Sequence, residues 1–125
     1  MAKEYLGNLE LMVLLSLIRV GDQAYGVPIS REIERRTGRD VALGSVYAAL
    51  DRLERKGFVS SVLGDPTPER GGRSKRIYHL EALGERALEE SAATAKRVLE
   101  TVAEIWGDIA DGVRRRPKWS PVRPK

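Results

Sequence analysis

The sequence predicts a mostly α-helical fold that carries one small β-hairpin and ends in a long helix. Three observations lead to this fold class. Three short helical patterns are separated by glycines. A strand pattern follows the third of them at once and returns after a tip rich in Pro and Gly, and an apolar heptad repeat occupies the end of the chain. Three helices followed by a hairpin are the layout of a winged helix-turn-helix, and the heptads predict a C-terminal dimerisation helix behind it.

The length of 125 residues suits one hydrophobic core and not two. We expect residues 1–80 to form the winged helix-turn-helix, residues 81–114 the dimerisation helix and residues 115–125 a basic, disordered tail. The absence of cysteine excludes disulfides and thiolate metal sites. The chain also lacks an apolar run long enough to span a bilayer and a signal-peptide pattern, so the expected location is cytoplasmic.

Residue patterns place each element along the chain. Asn8 is expected to cap the first helix, which is apolar almost all round and is therefore expected to contact a second subunit as well as its own core. Pro28 fits the first turn of the second helix, and Gly38 its end. Val46, Ala49, Leu50 and Leu53 form the expected core stripe of the third helix. The predicted elements are helices over 9–20, 27–37 and 44–56, strands over 58–63 and 73–80, and the long helix within 81–114.

Catalytic chemistry is missing from these patterns. The only histidine, His79, lies in the returning strand, where a structural role is the simpler interpretation. The carboxylates of the last helix recur at helical spacing among Arg and Lys, which is typical of a solvated face. We therefore predict no enzyme, no catalytic residue, no metal site and no cofactor.

Positive charge is concentrated in two parts of the chain. Residues 31–76 hold eleven bases and seven acids and residues 114–125 hold six bases and no acid, whereas residues 77–113 hold three bases and eight acids. Such asymmetry favours a polyanionic partner, although solvated helix faces would give similar runs.

The third helix and the hairpin tip are the expected contacts with double-stranded DNA. A helix fits the major groove with its N-terminal residues against the base edges, so small residues there permit close approach and hydroxyls can donate. Tyr47 has a second interpretation, a core aromatic that joins the second and third helices. The basic tip is expected to follow the phosphate backbone or enter the minor groove, unless it is only a solubilising loop. The predicted DNA-binding residues are Tyr25, Arg31, Arg35, Gly44, Ser45, Tyr47, Ala48, Arg52, Arg70, Arg73, Lys75 and Arg76.

An unbroken heptad seam in the last helix predicts a homodimer, with intramolecular packing as the alternative. Its residues, the predicted dimer interface, are Leu88, Ala92, Ala95, Leu99, Val102, Trp106, Ile109 and Val113. The Trp106 indole could stack on a small aromatic ligand, or two such rings could simply fill the interface. The possible effector site comprises Val102, Ile105, Trp106 and Ile109.

An ordered set of short motifs runs through residues 6–90. Its residues are Leu6-Gly7, Glu10, Tyr25-Gly26, Gly44-Ser45-Val46-Tyr47, Leu50, Arg52-Leu53-Glu54, Gly57-Phe58-Val59, Gly72-Arg73, Lys75-Arg76, Tyr78, Leu80 and Gly84. These motifs resemble the PadR family of bacterial transcriptional regulators. The single long helix after the hairpin resembles the family's short branch. The sequence departs from the family pattern at Ala42, where members commonly carry a capping Ser. The resemblance implies a homodimer that represses transcription from a palindromic operator and is released by a small molecule. The alternative is a winged-helix protein-interaction module without specific operator reading.

Overall fold

Four α-helices and one β-hairpin make up residues 6–64 and 75–112, the part of the chain that the computed structural model describes, with side chains to residue 108. A short 3-10 turn, Gly21–Gln23, joins the first two helices. The prediction of a mostly helical winged helix-turn-helix with a long C-terminal helix is confirmed. The elements in chain order are α1 (Asn8–Val20), α2 (Gly26–Thr37), α3 (Leu43–Arg55), β1 (Val59–Leu63), β2 (Arg76–Leu80) and α4 (Ala82–Gly112).

The start of α1 differs from the prediction. Asn8 is the first residue of the helix and Gly7 occupies the N-cap position, where it has no side chain to offer. The cap is made from the opposite direction, because the Gly7 N–H donates to Oε1 of Glu10 over 3.1 Å. A Glu in the third helical position can close the first turn in this way without a polar residue at the cap.

Glycines in the left-handed region end α2 and α3. Gly38 has a φ of 70° and donates its N–H to the Glu34 carbonyl over 2.8 Å. Gly57 has a φ of 80° and turns the chain from α3 into β1. Only glycine adopts this backbone region without strain, so the ends of both helices are encoded locally and agree with the sequence prediction to within one residue.

The core lies between α1, α2 and α3, and the hairpin closes it. The predicted core stripe of α3 is confirmed, since its four residues are fully buried. The hairpin adds the buried side chains of Val59 and Tyr78, and Phe58, the residue before β1, adds a third. The other members of the core are Val13, Leu14, Leu17, Ala24, Ile29 and Ile33.

The two strands pair antiparallel, with Val59 opposite Leu80 and Leu63 opposite Arg76. Tyr78 lies in the middle of β2, and its N–H also donates to the Ala24 carbonyl over 2.8 Å. The hairpin is therefore tied to the segment that precedes α2 as well as to the end of α3. Of the predicted second strand, residues 73 and 74 lie outside the described residues.

The first turns of α4 cross the start of the hairpin at very close range. Gly84 is buried, and a methyl group there would overlap the Phe58 carbonyl and stand 3.0 Å from Leu80 Cδ1. The Glu81 N–H donates to the same carbonyl over 2.9 Å. The chain divides into two compact units, Met1–Ser91 and Ala92–Lys125, so the first turns of α4 belong to the winged unit. The expected domain boundary after residue 80 stays a prediction, and the expected tail, residues 115–125, lies outside the described residues.

Candidate nucleic-acid interface

The first turn of α3 is exposed and has no side-chain cap. Ala42 holds the N-cap position, and its carbonyl accepts the N–H groups of Ser45 and Val46 over 2.9 and 3.2 Å. Gly44, Ser45 and Ala48 are exposed, and a methyl group on Gly44 would meet nothing within 4 Å. A helix N-terminus carries partial positive charge and backbone donors that attract phosphate. This turn can therefore approach a polyanion closely.

Tyr47 packs across the start of α2. A methyl group on Gly26 would overlap the end of the Tyr47 ring, so the ring lies directly against the glycine. The side chain is nevertheless 39% exposed. The geometry supports the joining role that the sequence left open, and the predicted DNA contact of Tyr47 stays a prediction.

A buried carboxylate on α1 holds Arg52 of α3 and Lys56, the residue that follows this helix. Glu10 is 6% exposed, and its carboxylate accepts from Arg52 Nε over 3.3 Å and from Lys56 Nζ over 3.2 Å. Burial alone would raise the pKa of Glu10, but the Gly7 N–H and the two cations outweigh it and lower the pKa below its ordinary value. The Glu10 carboxylate therefore holds the side chain of Arg52, a predicted phosphate contact, against α1.

A second buried carboxylate forms ion pairs with three arginines. Glu32 of α2 is 3% exposed, and its oxygens lie 3.0 Å from Arg35 Nη1, 2.8 Å from Arg36 Nε and 3.8 Å from Arg19 Nε. The arginine side chains are all more than half exposed. One negative charge against three positive ones leaves a basic surface around α2, and the predicted contact Arg35 belongs to it.

The base of the wing carries two of the predicted DNA-binding residues. Lys75 places its Nζ 4.6 Å from the centre of the Tyr25 ring, a cation–π contact that links the wing to the start of α2. Arg76 is exposed, and its Nη1 donates to Ser61 Oγ over 2.9 Å. Beside them, burial and then the charge of Glu54 raise the pKa of Tyr78. The structure thus brings Tyr25 and Lys75 together, whereas the tip, with Arg70 and Arg73, lies outside the described residues.

The two buried glutamates are site residues that the sequence pattern did not single out. Glu10 stands out in the sequence only as part of a motif, and its partners lie 42 and 46 residues further along the chain. Glu32 has a local signal, because Arg35 and Arg36 follow it at the i+3 and i+4 spacing that brings side chains together on a helix. Arg31, also predicted, is exposed on the same helix.

The seam of α4 exposes large apolar side chains in the second unit. Leu99, Val102 and Trp106 are 67, 43 and 56% exposed, and Val98, which lies beside the seam, is 55% exposed. Ala92 is exposed, and Ala95 and Ile105 are half-buried. Leu88 belongs to the first unit and packs partly against the core of its own chain. The side chains of Ile109 and Val113 lie outside the described residues.

An apolar groove runs between α1 and α2 in the first unit. Leu15 and Ile18 of α1 are each 48% exposed, in agreement with the apolar circumference that the sequence predicts. The groove has a volume of about 390 Å³, and its walls include Met12, Ile33 and Thr37. None of the helices within residues 6–64 and 75–112 combines the length and the apolar character needed to cross a membrane.

Comparison with known proteins identifies a family and several proteins to which this chain is similar. Residues 14–90 match the family described as "Transcriptional regulator PadR-like family". An uncharacterized protein of Lysinibacillus sphaericus is 30% identical over 92 residues, which cover 72% of this chain and 81% of that protein. A PadR family transcription regulator of Clostridium difficile R20291 has a similar fold, with a TM-score of 0.66, 21% identity and coverage of 78% of this chain and 97% of that one. A PadR-like transcriptional regulator of Bacillus cereus gives a TM-score of 0.63 at 20% identity, covering 78% of this chain and 89% of that one.

Proposed function

The chain belongs to the PadR-like family of transcriptional regulators, and we propose that it is a cytoplasmic, homodimeric repressor that binds a palindromic operator. Regulation of transcription through DNA binding follows from the family. The proposal adds the dimer, the symmetry of the operator and the sign of the regulation, which the resemblance of its motifs implies. The members of this family are regulators and not enzymes, so we seek its function in binding.

One observation carries the DNA contact: the first turn of α3, which is exposed and has no side-chain cap, lies on a domain with a basic surface. Gly44, Ser45 and Ala48 would face the base edges, since small residues let the helix enter the major groove deeply. The arginines around Glu32 and the wing base at Arg76 would contact phosphates on either side. Phosphate contacts set affinity and position, whereas the α3 residues would set sequence preference.

The exposed apolar surfaces of α1 and α4 support the dimer. Large side chains such as Leu99 and Val102 are costly to leave in water, and heptad spacing matches the surface of a second helix. A two-fold dimer would bring two α3 helices to successive major grooves about 34 Å apart. Such a dimer reads a palindrome, because each half-site meets the same residues.

The α4 seam also supports a small aromatic effector. Trp106 is 56% exposed and lies near Val102 and Ile105 along the helix, so a flat aromatic ligand could stack on the indole between subunits. In a Trp119→Phe background, binding of planar aromatic compounds should change the fluorescence of Trp106 and lower the DNA affinity. If neither the fluorescence nor the DNA affinity changes with such compounds, Trp106 only fills the dimer interface.

Selection of bound DNA from a random pool by the purified protein tests the main proposal. The expected result is a palindromic consensus whose half-sites are one helical turn apart. Replacing Arg73 and Arg76 together by Ala should weaken binding to every sequence and reduce the salt slope by roughly 0.9 for each phosphate that is no longer neutralised. Weak binding without a consensus would instead favour the protein-interaction module, and a parent salt slope of zero would end the DNA proposal.

A further inference from the structure

Two hydrogen bonds connect the wing arginine to the last turns of α3. Arg76 Nη1 donates to Ser61 Oγ over 2.9 Å, and Ser61 Oγ donates to Glu54 Oε2 over 2.8 Å. Ser61 lies opposite Tyr78 in the ladder, two positions from the Leu63–Arg76 pair, so Ser61 and Arg76 are diagonal neighbours on one face of the hairpin. The connection therefore uses three elements, α3, β1 and β2.

The chemistry of the three groups permits only one direction for this chain of bonds. A guanidinium has donors and no acceptor, and an ionised carboxylate has acceptors and no donor. The serine hydroxyl supplies one acceptor site to Arg76 and its single proton to Glu54. With the hydroxyl so oriented by Glu54, its lone pairs are turned towards the arginine.

We propose that Ser61 is a positioning residue that, held by Glu54, orients the Arg76 guanidinium for contact with a DNA phosphate. The inference rests on the phosphate contact proposed for Arg76. Within the part of the chain that the structure describes, Ser61 occupies one of the five guanidinium N–H donors of Arg76, which leaves the others for phosphate oxygens. A long arginine side chain loses conformational freedom when it binds, and restraint in the free protein removes part of that loss beforehand.

The chain supplies a matched control in the neighbouring residue. Ser60 is also half-buried on β1, and its hydroxyl donates to Glu81 Oε2 over 2.6 Å. Ser60 is therefore an equivalent hydrogen-bonded serine of the same strand whose bond leads to the residue before α4 and not to Arg76. Ser60→Ala removes a hydroxyl from the hairpin as Ser61→Ala does, without touching the proposed connection.

The first measurement is the affinity of the full chain for a mixed-sequence DNA duplex at low salt, where phosphate contacts dominate. Ser61→Ala should weaken binding about three- to tenfold, the range for the conformational freedom that one long side chain loses on binding. Ser61→Thr, which keeps the hydroxyl and suits a strand, and Ser60→Ala should bind as the parent does. In an Arg76→Ala background, Ser61→Ala should have no further effect. Any of three results would overturn the proposal. Ser61→Ala could lower the DNA affinity equally with and without Arg76, Ser60→Ala could lower it as much as Ser61→Ala does, or Arg76→Ala could bind with the affinity of the parent.

The second measurement needs no DNA and separates this inference from the proposed function. Nitrogen-15 relaxation of the Arg76 guanidinium in the free protein reports its order directly. Ser61→Ala should increase the motion of this group, and Ser61→Thr should restore the parental order. A guanidinium equally ordered in Ser61→Ala overturns the positioning role whatever the DNA result. A parent without salt-dependent DNA binding would sink the proposed function, while the relaxation data would still decide whether Ser61 orients Arg76.

Discussion

Replacing Glu10 by Gln tests how much the buried carboxylate of α1 contributes to stability. The substitution keeps the size of the side chain and one oxygen that can accept the Gly7 N–H, but it removes the charge that holds Arg52 and Lys56. Hydrogen bonds to charged groups contribute about 1.5–3 kcal/mol each. Because Arg52 is 45% and Lys56 25% exposed, water partly replaces the carboxylate, and we expect the free energy of unfolding to fall by about 2 kcal/mol.

The pH dependence of this loss follows from the lowered pKa of Glu10. The unfolded chain takes up the proton at the ordinary value near 4.5, before the folded chain does. The stabilisation is thus fully present above that value and is lost as the pH falls through the folded pKa. Urea unfolding of parent and variant at a series of pH values should show a difference that is constant near neutrality and shrinks in acid.

The matched control for Glu10→Gln is Glu34→Gln, the same change at an exposed position of α2. We expect its free energy of unfolding to lie within about 0.5 kcal/mol of the parent's. The reasoning fails if the two variants lose the same stability, or if the loss in Glu10→Gln persists unchanged after the pH has fallen well below 4.5.

Two further substitutions, each with a control, test the dimer seam of α4 and the close packing of its first turn. Leu99→Glu should yield monomers in sedimentation, because it places a charge in the proposed dimer interface. The control Thr101→Glu changes an exposed residue outside the heptad seam and should leave the dimer intact. If Leu99→Glu also remains dimeric, the interface does not lie on the seam. Gly84→Ala should lower the free energy of unfolding by about 1–3 kcal/mol, since the methyl group would overlap the Phe58 carbonyl. Gly107→Ala, where a methyl group meets nothing within 4 Å, should instead leave stability equal or raise it by up to about 1 kcal/mol, and the reverse order in thermal unfolding would refute the close crossing.

Local signals explain why the fold could be predicted to within about a residue at most element ends. Gly38 and Gly57 mark helix ends through their own backbone preference, and the period of the apolar residues identifies the buried face of α3. These signals act over a few residues. They depend on no contact with a distant part of the chain, so the sequence alone carries them.

The parts of the site that escaped prediction depend on contacts between distant residues. Nothing local to Glu10 indicates that Arg52 will lie beside it, and the heptad position of Leu88 does not reveal that its side chain packs on the winged unit. Tyr47 had two valid interpretations because a helical position next to the core can face a neighbouring helix or a ligand. The contact with Gly26 became visible only when α2 and α3 were placed together.

The contact between Gly26 and Tyr47 has a consequence for how this protein can diverge over time. The ring occupies the space in which any side chain at residue 26 would stand, so the two positions cannot vary independently. A descendant that acquires Ala or Ser at 26 must first exchange the aromatic at 47 for something smaller, or move α3 away from α2. Among homologous chains, the two positions should therefore change as a pair, with a bulky residue at one accompanied by a small residue at the other.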